Sequence, residues 1–351
     1  MIVIRRYLRA LGVVTAGASL MTTVAGCGVS SGTGQGPGAL PTVTIGYENA
    51  PDPEAVAIEQ GFFQKYMHAH VVTKYFSSGP NALSALASGS LNFMTTLGNP
   101  PTASAIARGV PLKVIWAMER YTTAEGLVVK KGSHIHSLAG LEGKTVALVA
   151  GSTSPFELDT ALKAAHIPVS RVTQENMAPA QMVAAWKTGQ IQAAYVWVPF
   201  MSQMAQAGGR TVMYDQNVVS QAPIFNLAVV NSPWAAAHPA LVRGFIRAEQ
   251  AGVAFFKSHP RTAYQDMGKL NGISASQAKA HAAGLSFTSL SQEVGSRRLG
   301  QGRAVATSLV TRSLASAARW LQQSGTISRA PANMSQYVDP SYCEQVLQAG
   351  K

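Results

Sequence analysis

The sequence predicts an α/β protein built as two lobes, and three observations carry that reading. From Val43 onward, strand-like and helix-like stretches alternate, the pattern of an α/β fold with a largely parallel sheet and ligand sites outside the carboxyl ends of its strands. Residues 86–93 (LASGSLNF) and 186–193 (WKTGQIQA) match at an offset of 100. Each reads as a helix end, a Gly stop and a buried strand, Gly being the residue that most readily takes the positive φ found after a helix. Such junctions are common, so the match is either coincidence or the mark of two similar lobes. Finally, the apolar runs Gly126 to Lys130 and Asn226 to Val230 flank a block with strands of its own. That block is a second lobe inserted in the first, with two crossovers that make a hinge and a cleft able to close on a solute.

The chain opens with a basic head, Arg5, Arg6 and Arg9, and an apolar run from Leu11 to Val24 that is too short for a permanent membrane helix. Small residues Ala25 and Gly26 then precede Cys27, the order of a bacterial lipoprotein processing site. Residues 1–26 are expected to be a signal peptide removed before folding, and Cys27 to carry a thioether-linked lipid that anchors the chain. Residues 27–41, rich in Gly, Ser, Thr and Pro after the Cys, form a tether with little to bury. Structure starts at the strand around Val43 to Tyr47, followed by a helix from Glu54 to Tyr66 and strands or helices at Val71 to Phe76, Asn81 to Ser88, Leu91 to Thr96, Thr102 to Ala107 and Leu112 to Ala117. Residues 42–126 and 227–351 are assigned to lobe 1 and 127–226 to lobe 2. The Ala- and Ser-rich stretch from Ser291 to Gln322, with Trp320, is expected to pack as helices on lobe 1.

Without the first 26 of its 351 residues the chain is too long for one core and keeps a formal charge of +9, the initial +12 less three Arg. The basic residues are scattered rather than interleaved with aromatics, so nucleic acid is not the expected partner. With Cys27 lipidated, Cys343 stands alone, which leaves no intrachain disulfide and no Cys-pair metal site. His68 with His70, and His134 with His136, read as solvated surface. No G-x-S-x-G elbow, P-loop or dinucleotide fingerprint is present. No cofactor and no metal are expected, and an enzyme is the weaker class.

Binding signals are stronger. Ser152, Thr153 and Ser154 follow a strand and open a helix, where Ser154 with Glu157 fits a capping box and Pro155 the first helical turn. The same hydroxyls and free N–H groups at a positive helix end also make an oxyanion site. Ser78, within Ser77 to Asn81, repeats that chemistry in the first lobe. Tyr195 and Trp197 share one face of a strand, either as core or as an aromatic wall over a ligand. Asp52, Glu119 and Glu125 are the candidate partners for a ligand ammonium, plain solvation being the other reading for Asp52.

These stretches resemble the solute-binding proteins of ABC importers for taurine, other alkyl sulfonates and nitrate. The resemblance runs from about Val43 to Val338 and rests on residues 78–79, 85–89, 125–131, 184–189, 194–199, 222–223 and 335–338, with the AYVWVP run at 194–199 most like the taurine branch. It implies a type II periplasmic-binding-protein fold and capture of taurine or a related small anionic or zwitterionic sulfonate. It also implies delivery to an ABC permease driven by a separate ATPase. Nitrate and a thiamine-precursor pyrimidine are the alternative solutes. The resemblance places ligand contacts at Asp52, Ser78, Asn99, Pro100, Glu125, Ser152, Thr153, Ser154, Tyr195, Trp197 and Asn226. Where the taurine branch carries an acid shortly after its Ala-Pro pair, this chain has Asn226, so Asp52 or Glu125 supplies the missing charge or the solute lacks an amine. A monomer is expected, held at a cell membrane by Cys27 and facing the periplasm or cell exterior.

Overall fold

The computed structural model describes residues 40–350 except Val219 and Ala222. The signal peptide, the lipid site at Cys27 and nearly all of the tether lie outside the described residues. Eleven strands follow one another: β1 (Thr42–Tyr47), β2 (His70–Tyr75), β3 (Phe93–Gly98), β4 (Leu112–Tyr121), β5 (Glu125–Lys130), β6 (Thr145–Leu148), β7 (Thr173–Asn176), β8 (Ala193–Trp197), β9 (Gly209–Tyr214), β10 (Phe225–Asn231) and β11 (Leu285–Ser286). They form two sheets, six-stranded in the order β11-β4-β10-β3-β1-β2 and five-stranded in the order β7-β6-β8-β5-β9. The chain leaves the first sheet between β4 and β5 and returns between β9 and β10. Glu125 and Gly126, at the end of the span assigned to lobe 1, therefore pair within the second sheet, opposite Trp197 and Val196.

Both sheets are mixed, with parallel strands on either side of a reversed one. β10 runs antiparallel to both β3 and β4, and β5 antiparallel to both β8 and β9. Each is the first strand its sheet receives after a crossing, so it arrives from the opposite end. Hydropathy reports how deeply a strand is buried and is blind to its direction. The 100-residue match has a close backbone counterpart. Gly89 and Gly189 take φ of 72° and 83°, and each donates to the residue three back, Leu86 and Trp186, both at 3.1 Å. Ser90 and Gln190 donate five back, to Ala85 and Ala185, at 3.1 and 2.9 Å. The strands that follow, β3 and β8, are interior in their sheets.

Other elements depart from the sequence reading for local reasons. The expected helix over Glu54 to Tyr66 is two helices, Pro53–Glu59 and Phe62–Met67, parted by Gly61 at φ 67°. The expected Thr102 helix begins earlier, at Asn99, because Pro100 and Pro101 fit a first turn that needs no N–H donors. The tail is not continuously helical from Ser291. A short helix, Leu290–Glu293, is followed by irregular chain and a 3₁₀ turn before the long helix Leu309–Gln323. Ser308 caps that helix by accepting from Thr311 N at 3.2 Å.

The first-lobe core is organised on the helix Pro239–Ser258. Its Phe245 ring stacks 4.3 Å from Phe93 and 5.2 Å from Phe63, and Trp234 meets Phe93 edge-on at 5.4 Å. Close approach of the two N-terminal helices to this one depends on Gly244 and Gly252. A Cβ on Gly252 would lie 2.4 Å from Pro53 O, and one on Gly244 would lie 2.6 Å from Tyr66 O. Among the described residues no helix is long and apolar enough to cross a membrane. Gly252→Ala separates packing from propensity, since Ala is the better helix former by about 1 kcal/mol while the overpacked methyl costs about 1–3 kcal/mol. The variant is expected to melt at a lower temperature than the parent, and a raised midpoint in thermal unfolding would contradict the packing argument.

Candidate functional site

Where the carboxyl ends of β1, β3, β4, β6 and β8 converge, the two lobes enclose a small cavity. Its walls on the first lobe are Glu48 and Asn49 after β1, Gly79 at a helix start, Thr96 and Gly98 in β3, Pro101, Tyr121 at the end of β4 and Asn226 in β10. The second lobe contributes Ser152, Thr153 and Trp197. The cavity volume is about 20 Å³, room for roughly one or two waters. The lobes stand shut, for a Cβ on Gly98 would come within 2.9 Å of Thr153 Cγ2 across the gap.

Of the residues singled out from sequence, Ser152, Thr153, Trp197 and Asn226 line this cavity, while the others are set back from it. Ser152, not Ser154, caps the helix Thr153–Ala164, accepting from Ser154 N at 3.2 Å while its Oγ donates to Val149 O at 2.8 Å. The expected Ser154–Glu157 capping box does not form. Ser154 Oγ donates to Glu125 Oε1 at 2.5 Å, Thr153 Oγ1 donates to Glu125 Oε2 at 2.6 Å, and both Glu157 oxygens are buried without a hydrogen bond. The helix therefore starts on the cavity wall with its capping hydroxyls satisfied and its positive end still turned to the cavity.

Glu125 sits at a structural junction. Its carboxyl takes both hydroxyls of that helix start, and its backbone N–H donates to Asp215 Oδ2 at 3.1 Å, just beyond β9 on the return crossing. Burial pushes Glu125 up to about 7 and Asp215 up to about 8, the Glu125 charge adding to the effect on Asp215. Tyr195 is fully buried behind the wall, near Glu157, rather than on it. In the first lobe, Asp52 caps the helix Pro53–Glu59 by accepting from Ala55 N at 3.1 Å. Burial lifts it to about 7, and its second oxygen faces the Glu119 carboxyl. Glu119 in turn accepts from Asn226 Nδ2 at 2.6 Å, and the same amide nitrogen donates to Tyr121 Oη at 2.8 Å. Asn99 Nδ2 donates to Pro223 O at 3.4 Å on the return crossing, while Pro100 and Ser78 are buried outside the lining.

Glu48, Asn49, Thr96, Gly98 and Tyr121 were not singled out from the sequence. The rule that ligands gather at strand carboxyl ends points to the loop after β1, and Glu48 and Asn49 precede Asp52 there. Thr96 carries no such signal. It holds φ at 51°, unusual for a β-branched residue. Its Oγ1 accepts from Glu48 N at 2.9 Å, which fixes the loop after β1 against β3.

A family model described as NMT1/THI5 like matches residues 52–263. The taurine-binding periplasmic protein of Escherichia coli (strain K12) is 29% identical over 311 residues, 86% of this chain and 92% of that protein. The fold matches the alkanesulfonate-binding protein from Xanthomonas axonopodis pv. citri bound to MOPS with a TM-score of 0.70 at 17% identity, covering 86% of this chain and 99% of that one. A desulfurization enzyme shares it too, with a TM-score of 0.64 at 15% identity, covering 89% of this chain and all of that one.

The buried carboxyls set a pH dependence of stability opposite to ordinary acid unfolding. Folded Asp52, Glu125, Asp215 and Glu293 keep their protons up to about pH 7–8, whereas unfolded carboxyls lose theirs near pH 4. Their contribution is full below the unfolded values and is lost as pH rises through the folded ones, at about 1.4 kcal/mol per pH unit for each excess proton. The urea midpoint is expected to be higher at pH 6 than at pH 8, with a smaller difference in Glu125→Gln. A midpoint that climbs from pH 6 to pH 8 would refute this.

Proposed function

The chain belongs to the NMT1/THI5-like family, and from that premise we propose that it is an extracytoplasmic solute-binding lipoprotein of an ABC importer. Its solute is taurine or a related small sulfonate, captured between the lobes and presented to a membrane permease driven by a separate ATPase. The observation that carries this reading is the composition of the shut cavity. One wall is the start of the helix Thr153–Ala164, another is Trp197, and no Lys, Arg or His side chain is among the lining residues. A helix N-terminus offers backbone N–H groups and a positive dipole end to a sulfonate without a cationic side chain. The Trp197 indole covers the short apolar stem and excludes water. The relative from Escherichia coli, matched along most of both chains, supports the solute class.

Capture requires motion. The cavity as it stands is too small for a sulfonate, so the lobes part at the crossings between β4 and β5 and between β9 and β10, then reclose around the solute. Nothing in this cycle makes or breaks a covalent bond, and the role is transport rather than catalysis. Processing at Cys27 and a lipid on its sulfur keep the receptor on the membrane beside its permease, where a tether raises its local concentration. Nitrate fits the cavity less well, because a small anion would meet Glu48 with no cationic side chain to offset it.

Isothermal titration of the purified chain is expected to give saturable heat with taurine, isethionate or ethanesulfonate. The absence of heat with all three at millimolar concentration would overturn the assignment. Trp197→Ala is expected to weaken whichever solute binds by at least tenfold, since it removes the wall contributed by β8.

A further inference from the structure

Three carboxyls stand out in the sequence as partners for a ligand ammonium, and the structure engages each of them elsewhere. Both Glu125 oxygens accept from hydroxyls, at 2.5 and 2.6 Å. Glu119 accepts from Asn226 and faces Asp52, which caps its own helix. None of the three lines the cavity, and Asn226, which does, carries no charge. One acid does line it. Glu48 stands on the wall beside Gly79, with its Oε1 closed to solvent.

We propose that Glu48 is the counter-ion for an ammonium group on the solute, so that the site selects amino-sulfonate zwitterions over sulfonates that lack the amine. The inference rests on the sulfonate-binding reading above and narrows it. Placement is the first argument. The Glu48 backbone is pinned by its N–H bond to Thr96 Oγ1, so its carboxyl is held at the wall rather than free to swing into solvent. Across the cavity, Thr153 begins the helix whose positive end suits the sulfonate, and the solute spans the two walls with its opposite charges at opposite ends. Two aromatic residues, Tyr121 and Trp197, complete the lining and offer π surface to an ammonium.

The electrostatics are consistent with that placement. Burial pushes the Glu48 carboxyl well up, the Gly79 N–H pulls it part of the way back, and the Glu125 charge adds to the rise. Tyr75 and Tyr121 also neighbour it and feel its charge, and no cation is among the groups that act on it. An ammonium would favour the ionised carboxylate, and the proton that Glu48 gives up on binding passes to the buffer.

The test is calorimetry of the full chain with taurine and ethanesulfonate, which differ by the amine, in two buffers of different ionisation enthalpy. The parent is expected to bind taurine at least tenfold tighter than ethanesulfonate and to release protons with taurine only. Glu48→Gln, nearly isosteric, is expected to shift the taurine-to-ethanesulfonate affinity ratio at least tenfold toward ethanesulfonate and to abolish the proton release. An unchanged ratio in Glu48→Gln, or a parent that prefers ethanesulfonate, would overturn the assignment of Glu48 while leaving sulfonate binding in place. A parent that binds neither sulfonate overturns both readings together.

Discussion

The Glu125 carboxyl is the fixed point from which the cleft is built. It opens the first strand of the second lobe, holds the hydroxyls of Thr153 and Ser154 at the start of the cavity helix, and through its backbone N–H meets Asp215 on the return crossing. Three segments far apart in sequence are thereby set against one another where the lobes join. The hydrogen bonds are worth more here than in water, because the site is dry. The same dryness makes the ionised form expensive, which is why burial lifts Glu125 and Asp215 toward and above neutrality.

That tension is general in this chain. Of its sixteen acidic residues nine are buried, whereas Arg298 is the one Lys or Arg buried among the described residues. Burial raises every one of those nine acids above its ordinary range. Burial opposes the charged form of each of these carboxyls, so the folded chain carries less negative charge than its sixteen acidic residues convey. The scattered Lys and Arg residues are then the visible half of an imbalance whose other half is hidden in the core. A nucleic-acid partner is not needed to account for it.

How far the site could be read from sequence depended on what each residue needs to be recognised. Ser152, Thr153 and Trp197 end on the cavity because their cue is positional, the end of a strand or the start of a helix, and position survives folding. Tyr195 shares a strand face with Trp197 but lies one pleat deeper, and alternation alone cannot say which aromatic reaches the opening. Asp52 holds the sequence position expected of a charged contact, yet four residues earlier Glu48 occupies the wall, because Asp52 is consumed in capping its helix. The two-lobe α/β architecture was legible in the alternation and in the two apolar runs. The antiparallel β5 and β10 were not, since strand direction follows from where the chain re-enters a sheet.

The tail helix Leu309–Gln323 reaches beyond the lobe that carries it. It packs on the first-lobe helix Asn99–Ala107, yet its Trp320 donates to Asp159 Oδ2 at 2.8 Å and meets the Phe156 ring at 5.5 Å, both on the cavity helix of the second lobe. Opening that drew those helices apart would expose two large aromatic surfaces and part the indole from the carboxyl. Part of the drive toward closure thus resides outside the ligand's reach. Apparent affinity scales with the fraction of receptor already shut, and this remote clasp gives evolution a dial for tightness that leaves the chemistry of recognition untouched.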